Sequence, residues 1–181
     1  MAHVTSIQVV SEVDRAATED LYGTAKLYVE RLGAAYRQHA LEFVSLRIGR
    51  VVGSGARSAS SAWRSQIFEY LASTHAAEII VPYLGSERIL LVHVDDVAKT
   101  LVELLRAPKP VHSVYNAACE SVVVADLKRE VESLNPRVNV RLGEAYVSGN
   151  PRRLDCRRFQ EEFRFQTLPI FEQLRRATGK S

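Results

Sequence analysis

The stretch EFVSLRIGRVVGSG, residues 42–55, constrains the fold more than any other part of this sequence. Its β-branched and apolar residues fall on both alternating faces before two glycines turn the chain, so it reads as a strand buried on two sides. Strands of that kind belong to parallel sheets, whose crossovers pack on the sheet faces. The rest of the chain has the matching alternation. HVTSIQVV (3–10) reads as an opening strand, and the polar SEVDRAATED (11–20) connects it to a helix from about Leu21 to His39, where Leu27, Leu32, Ala35 and Tyr36 recur at roughly helical spacing. After a Ser-rich link, AWRSQIFEYLAS (62–73) reads as helix and EIIVPYL (78–84) as strand, with Gly85 turning into the strand RILLVHV (88–94). Asp95 or Asp96 opens the next helix, where an acid suits the helix dipole, and Pro108 and Pro110 end it. SVYNAA (113–118) is a further short strand, ADLKREVESLN (125–135) an amphipathic helix ended by Pro136, and VNVRLG (138–143) a last strand before a basic, mixed tail. The expected class is α/β with a mostly parallel sheet.

Composition narrows the partners. At 181 residues there is room for one good domain, or one domain with a small lobe. Lys and Arg number 24 against 21 Asp and Glu, interspersed along the chain, so the net +3 is poor ground for a nucleic-acid binder. No apolar run is long enough to span a bilayer and MAHVTSIQVV lacks the pattern of a secretion signal, so a soluble cytoplasmic protein is expected, with no membrane partner. Cys119 and Cys156 lack C-x-x-C spacing and read as plain reduced thiols. His93 with Asp95 and Asp96 reads as a strand-to-helix junction rather than a metal site. The paired arginines 152–153 and 157–158, near Glu161 and Glu162, read as a salt-bridged surface, and Trp63, Phe68 and Tyr70 as core.

Tyr22 and Lys26 stand four residues apart at the head of the first helix, so they share a face. An ammonium beside a phenol favours the phenolate, which is how such a pair exchanges protons with a substrate. A solvated lysine beside a tyrosine at the core edge has the same spacing, and the pair alone does not separate the two.

The setting does more. Ser6 on the first strand, Tyr22-Gly-Thr-Ala-Lys26 opening a helix, LRIGRVVGSG on the next strand, VHVDDVAKTLVELL and then VYNAA together resemble the C-terminal portion of an extended short-chain dehydrogenase/reductase. Within that superfamily the chain is most similar to the NAD-dependent epimerase/dehydratase group. The resemblance implies a partial Rossmann-type, doubly wound parallel sheet with a small C-terminal substrate-binding lobe. Residues 1–55 and 88–118 would belong to the NAD(P)-binding domain, and 56–87 and 119–181 to the lobe. It implies NAD or NADP as cofactor, with Tyr22 as catalytic acid/base, Lys26 tuning it and holding the nicotinamide ribose, and Ser6 holding the reacting oxygen, Thr5 being its fallback. Ile48 and Gly49 would lie beside the nicotinamide. Arg50 stands where many relatives have a substrate-holding asparagine, and Arg88 resembles an arginine that contacts a substrate phosphate; a surface ion pair and a solvated side chain are the alternatives. The implied substrate is a small molecule with a hydroxyl or carbonyl, a sugar nucleotide first. The tyrosine-bearing helix often joins a dimer interface in relatives, which makes a homodimer one of the implied assemblies.

One departure is large. Relatives carry about four strand-helix units of roughly 30 residues before the serine-bearing strand, including the glycine-rich turn that receives the pyrophosphate. No G-x-G-x-x-G occurs here, and Met1 lies only five residues before Ser6. A fragment of a longer enzyme, a natural half needing a partner chain, and a non-catalytic binding or assembly module that kept the fold all fit; the truncated enzyme is the expectation. The purified 181-residue chain should therefore bind NAD or NADP weakly or not at all, and micromolar affinity in calorimetry would overturn that.

Overall fold

The computed structural model describes residues 9–14, 20–39, 41–55, 61–148 and 151–179. Strands and helices alternate as expected, and four of the five strand pairings among the described residues are parallel. The first strand, β1 (Val9–Val10), is followed by α1 (Leu21–Tyr36), whose last turn tightens into a 3-10 turn at Arg37–His39.

The long run at residues 42–55 departs from the expectation of one continuous strand. It forms two short strands, β2 (Ser45–Arg47) and β3 (Arg50–Val52), separated at Ile48 and Gly49, and of their six residues only Val52 is fully buried. Gly49 is the cause. A Cβ there would stand 2.9 Å from Cys119 Sγ and 3.2 Å from the Leu90 carbonyl oxygen, so the chain passes close over both, and its amide donates to the thiol at 3.3 Å. Past that point β3 takes a different neighbour from β2.

Downstream come α2 (Trp63–Glu69), β4 (Ala77–Tyr83), β5 (Arg88–His93), α3 (Val94–Arg106), β6 (Val114–Asn116), β7 (Glu120–Val123), α4 (Val124–Leu134) and β8 (Val138–Ala145). β2 pairs with β6, β3 with β5, and β4 with β8, all parallel, while β7 runs antiparallel on the other edge of β5. The tail carries β9 (Arg153–Leu154), which pairs with β1, and two helices that composition did not suggest, α5 (Arg157–Phe163) and α6 (Ile170–Ala177).

Helical spacing explains which side chains enter the core. α4 turns Val124, Leu127 and Val131 inward at i, i+3 and i+7, and α6 turns Ile170 and Leu174 inward at i and i+4. They meet Trp63, Ile67 and Phe68 of α2 and the inner faces of β4, β5 and β8 in one apolar cluster, where each fully buried Leu or Ile contributes on the order of 2 kcal/mol. Tyr70 packs against its edge. A second aromatic cluster ties the tail back: Tyr115 of β6, fully buried, meets Phe159 and Phe163 of α5 edge-on and donates to Glu162 at 2.6 Å. Burial and that carboxylate push its phenol up to about 12. Three of the four tail arginines are paired, none of them with Glu161 or Glu162: Arg157 binds Asp155 at 2.6 Å, Arg158 faces Glu12 at 3.9 Å and Arg152 faces Glu87 at 3.8 Å.

One polar side chain joins layers that the apolar core alone would leave to slide. Asn135, nearly buried behind α4, donates to the carbonyls of Tyr70, Leu71 and Ser73 at 2.9, 3.3 and 3.0 Å and accepts from the Arg137 amide at 3.1 Å. Removing it strands buried carbonyls, which cost about 1–3 kcal/mol when left unsatisfied. Asn135→Ala should lower the urea midpoint by a corresponding amount with an unchanged slope, and an unaltered midpoint would show that the bonds contribute nothing net.

The cap of α3 also differs from expectation. His93, not an aspartate, is the N-cap: its Nδ1 accepts from the Asp95 amide at 3.3 Å, while Asp95 and Asp96 occupy the first turn. Its ring packs on Phe68 with centroids 5.0 Å apart. Burial holds the imidazole pKa below its usual value, outweighing Asp95 and Asp96, which favour the cation, and joined by Lys99, which opposes it. The folded state therefore binds fewer protons than the unfolded one between the depressed pKa and about 6.5, and stability present above about 6.5 is lost as pH falls through that window. His93→Asn, which keeps a cap but removes the titration, should flatten the dependence of the urea midpoint between pH 7.5 and 5.5. An identical slope in both proteins would exclude His93 as its source.

Candidate active site

α1 starts where it does because of Asp20. Its side chain accepts the Gly23 amide at 2.7 Å and its carbonyl accepts the Thr24 hydroxyl at 2.8 Å, which sets the phase of the helix from Leu21 onward. Tyr22 and Lys26 then fall on one face, with Lys26 Nζ 5.2 Å from the centre of the Tyr22 ring. Both are exposed, Tyr22 at 74%, so the phenol is open to a ligand. Ser6 and its fallback Thr5 lie outside the described residues.

The stripe continues one turn further than sequence reading carried it. Glu30, four residues after Lys26, binds the Arg47 guanidinium through both oxygens, at 2.7 and 3.0 Å. Two atoms on each side in a fork geometry hold α1 against β2. Tyr22, Lys26 and Glu30 thus form a row about 12 Å long that ends one residue before Ile48. The i, i+4 spacing of Lys26 and Glu30 was the available signal; only the fold shows that Arg47 receives it.

Ile48 is 40% exposed between β2 and β3, and Gly49 beside it has its amide occupied by Cys119 Sγ. Burial pushes the Cys119 thiol up to about 12, so it stays protonated and serves as packing and acceptor. With His93, Asp96, Glu120 and Ile170 it lines a cavity of about 240 Å³ that none of Tyr22, Lys26, Arg50 or Arg88 reaches.

Arg50 is held rather than loose. Its Nε donates to the Tyr83 hydroxyl at 3.2 Å, its Nη2 to the Ser148 carbonyl at 3.4 Å, and its guanidinium lies 5.2 Å from the Tyr83 ring centre. The side chain of Arg88, half-buried at the start of β5, makes no hydrogen bond or ion pair among the described residues. The register sets Arg50 opposite Leu91, three residues along from Arg88 and so about 10 Å further up the strand. The fold therefore pairs Tyr22 with Lys26 and places Ile48, Gly49 and Arg50 in succession across the gap between β2 and β3, while Arg88 stands apart from them.

The sequence profile described as the NAD dependent epimerase/dehydratase family matches residues 3–118. L-threonine 3-dehydrogenase from Trypanosoma brucei shares the fold with a TM-score of 0.77 at 21% identity, over 93% of this chain and 56% of that one. L-threonine dehydrogenase from Phytophthora infestans does so at 0.79 and 16%, over 98% and 61%. UDP-glucuronic acid 4-epimerase from Bacillus cereus, solved with UDP-glucuronic acid and NAD, does so at 0.73 and 20%, over 94% and 55%. At these identities the likeness is one of fold, and the chain spans little more than half the length of these structures. No curated protein matches it by sequence.

Proposed function

Because the chain belongs to the NAD dependent epimerase/dehydratase family, we propose that it supplies the catalytic and substrate-binding part of an NAD(P)-dependent oxidoreductase or epimerase. The observation that carries this reading is the Tyr22–Lys26 pair, which stands open on one helix face with the ammonium 5.2 Å from the phenol ring. In this reading residues 1–55 and 88–118 belong to the dinucleotide-binding part, and 56–87 and 119–181 form the substrate lobe.

The residues present fit the nicotinamide end of the cofactor. Lys26 would donate to a ribose hydroxyl, and the exposed Ile48 side chain would offer an apolar surface to a ring, beside Gly49, which packs over Cys119 and Leu90. NAD or NADP supplies hydride acceptance and donation when bound. Tyr22 takes the proton from a substrate hydroxyl, or returns one to a carbonyl oxygen, and Lys26 stabilises the phenolate formed in between. Ser6 holds the reacting oxygen, and Arg50 and Arg88 hold the substrate, which is a sugar nucleotide or another small hydroxyl or carbonyl compound. The solved structures of similar fold act on L-threonine and UDP-glucuronic acid, two secondary alcohols, which supports alcohol–ketone chemistry.

A second reading, a binding or assembly module, is favoured by one observation. α1 buries only Gly33 among its residues and leaves Leu21, Tyr28, Val29 and Tyr36 at least half exposed. A second copy or a partner chain would cover that face.

The two readings part in one assay. In the polypeptide that carries these residues in the cell, Tyr22→Phe should lower substrate-dependent NAD(P) reduction, read at 340 nm, by about 100-fold or more without changing NAD(P) affinity. Unchanged turnover in that variant would leave the module reading standing.

A further inference from the structure

Lys26 stands one helical turn from each of two competing partners. Tyr22 lies four residues before it and Glu30 four residues after, and side chains at that spacing face one another on a helix. Glu30 is the one carboxylate three or four positions from Lys26 in the chain, and Lys26 is the one cation at those positions from Glu30. Helical side chains lean toward the N-terminus, which directs Glu30 over the turn of Lys26. Opposite charges so placed would ordinarily meet. Here they do not: among the described residues Lys26 has no carboxylate within ion-pair distance, and its ammonium lies 5.2 Å from the centre of the Tyr22 ring.

Arg47 accounts for the difference. Its Nη2 donates to Glu30 Oε1 at 2.7 Å and its Nε to Oε2 at 3.0 Å, so both carboxylate oxygens are engaged. The guanidinium comes from a strand whose place is set from the other side. Arg47 stands opposite Asn116 of β6, and its carbonyl accepts the Ala117 amide at 2.8 Å. α1 also has a tie to this segment that does not use charge: at Gly33 the Phe43 ring lies so close that an added Cβ would stand 2.1 Å from it. Packing at Gly33 therefore docks the helix, and the ion pair one turn earlier is left to govern charge.

Without Arg47 the Glu30 carboxylate, its side chain only 19% exposed, would be left unpaired at the foot of the helix. Its nearest relief is the exposed Lys26, one turn away. An ammonium drawn down to Glu30 leaves Tyr22, which lies a further turn toward the N-terminus. We propose that Arg47 is a positioning residue that occupies Glu30, keeps it off Lys26 and so leaves the ammonium to the Tyr22 phenol. Its catalytic meaning rests on the oxidoreductase reading: the phenol exchanges its proton beside a cation that no carboxylate has drawn away. The arrangement of charge itself does not rest on that reading.

The test begins with the 181-residue chain, with no cofactor or substrate. Nuclear Overhauser cross-peaks between the Lys26 ε-methylene and the Tyr22 ring protons report the contact. They should be present in the native chain and in Arg47→Lys, which keeps a cation opposite Glu30, and lost in Arg47→Met. Adding Glu30→Gln to Arg47→Met should restore them, because the competing carboxylate has gone although the ion pair has not returned. A purely structural ion pair predicts the opposite, since the double variant lacks it as fully as Arg47→Met does. Absence of the cross-peaks from the native chain, their survival in Arg47→Met, or their absence from the double variant overturns the proposal. Arg47→Gln carries the same expectations should Arg47→Met not fold, and failure of both to fold makes the pair structural and overturns the proposal too. In the polypeptide that carries these residues in the cell, kcat should fall about tenfold in Arg47→Met and recover in the double variant. An unchanged kcat there, where Tyr22→Phe is impaired, overturns the positioning role. If Tyr22→Phe shows no defect either, the oxidoreductase reading fails and the charge arrangement stands on the cross-peaks.

Discussion

The burial of β5 is the constraint on which the rest depends. Ile89, Leu90, Leu91 and Val92 are each at most 2% exposed, so both faces and both edges of this strand must be occupied by protein. β3 takes one edge in parallel register and so carries Arg50 alongside Leu91, while β7 takes the other in antiparallel register. The end of the strand delivers His93 to cap α3, and the Leu90 carbonyl lies under Gly49. Of the residues proposed for function, Gly49 and Arg50 take their positions from this strand.

Charge is arranged with a purpose that its near balance conceals. Most of the arginines with resolved contacts are matched to a carboxylate or a carbonyl, and one such pairing, Arg47 with Glu30, aligns α1 with the strand that carries Ile48 and Gly49.

Legibility varied with the range of the interaction behind each feature. α4 was readable to within a residue because ADLKREVESLN repeats apolar residues at helical spacing and stops before Pro136. α3 was readable too, but not its cap, since histidine is an uncommon N-cap and the two aspartates that follow give the stronger local signal. EFVSLRIGRVVGSG misled in one respect: its apolar density suggested one strand buried on both sides, whereas contacts from Cys119 and Leu90, distant in sequence, break it at Gly49. β7, α5 and α6 escaped because each is short, and tertiary contact rather than local propensity holds them in place.

What the sequence alone determined is the alternation of strands and helices, the parallel character of the sheet, the family, and the sharing of one helix face by Tyr22 and Lys26. These depend on spacing along a single element, which side-chain periodicity records. Only the tertiary structure decided where the strand at 42–55 divides, that Arg47 rather than a neighbour on the helix receives Glu30, and that Arg50 lies against the Tyr83 ring. Those outcomes depend on segments far apart in the chain being brought into register by burial, and no local pattern carries the distance between two side chains that meet only when the core closes.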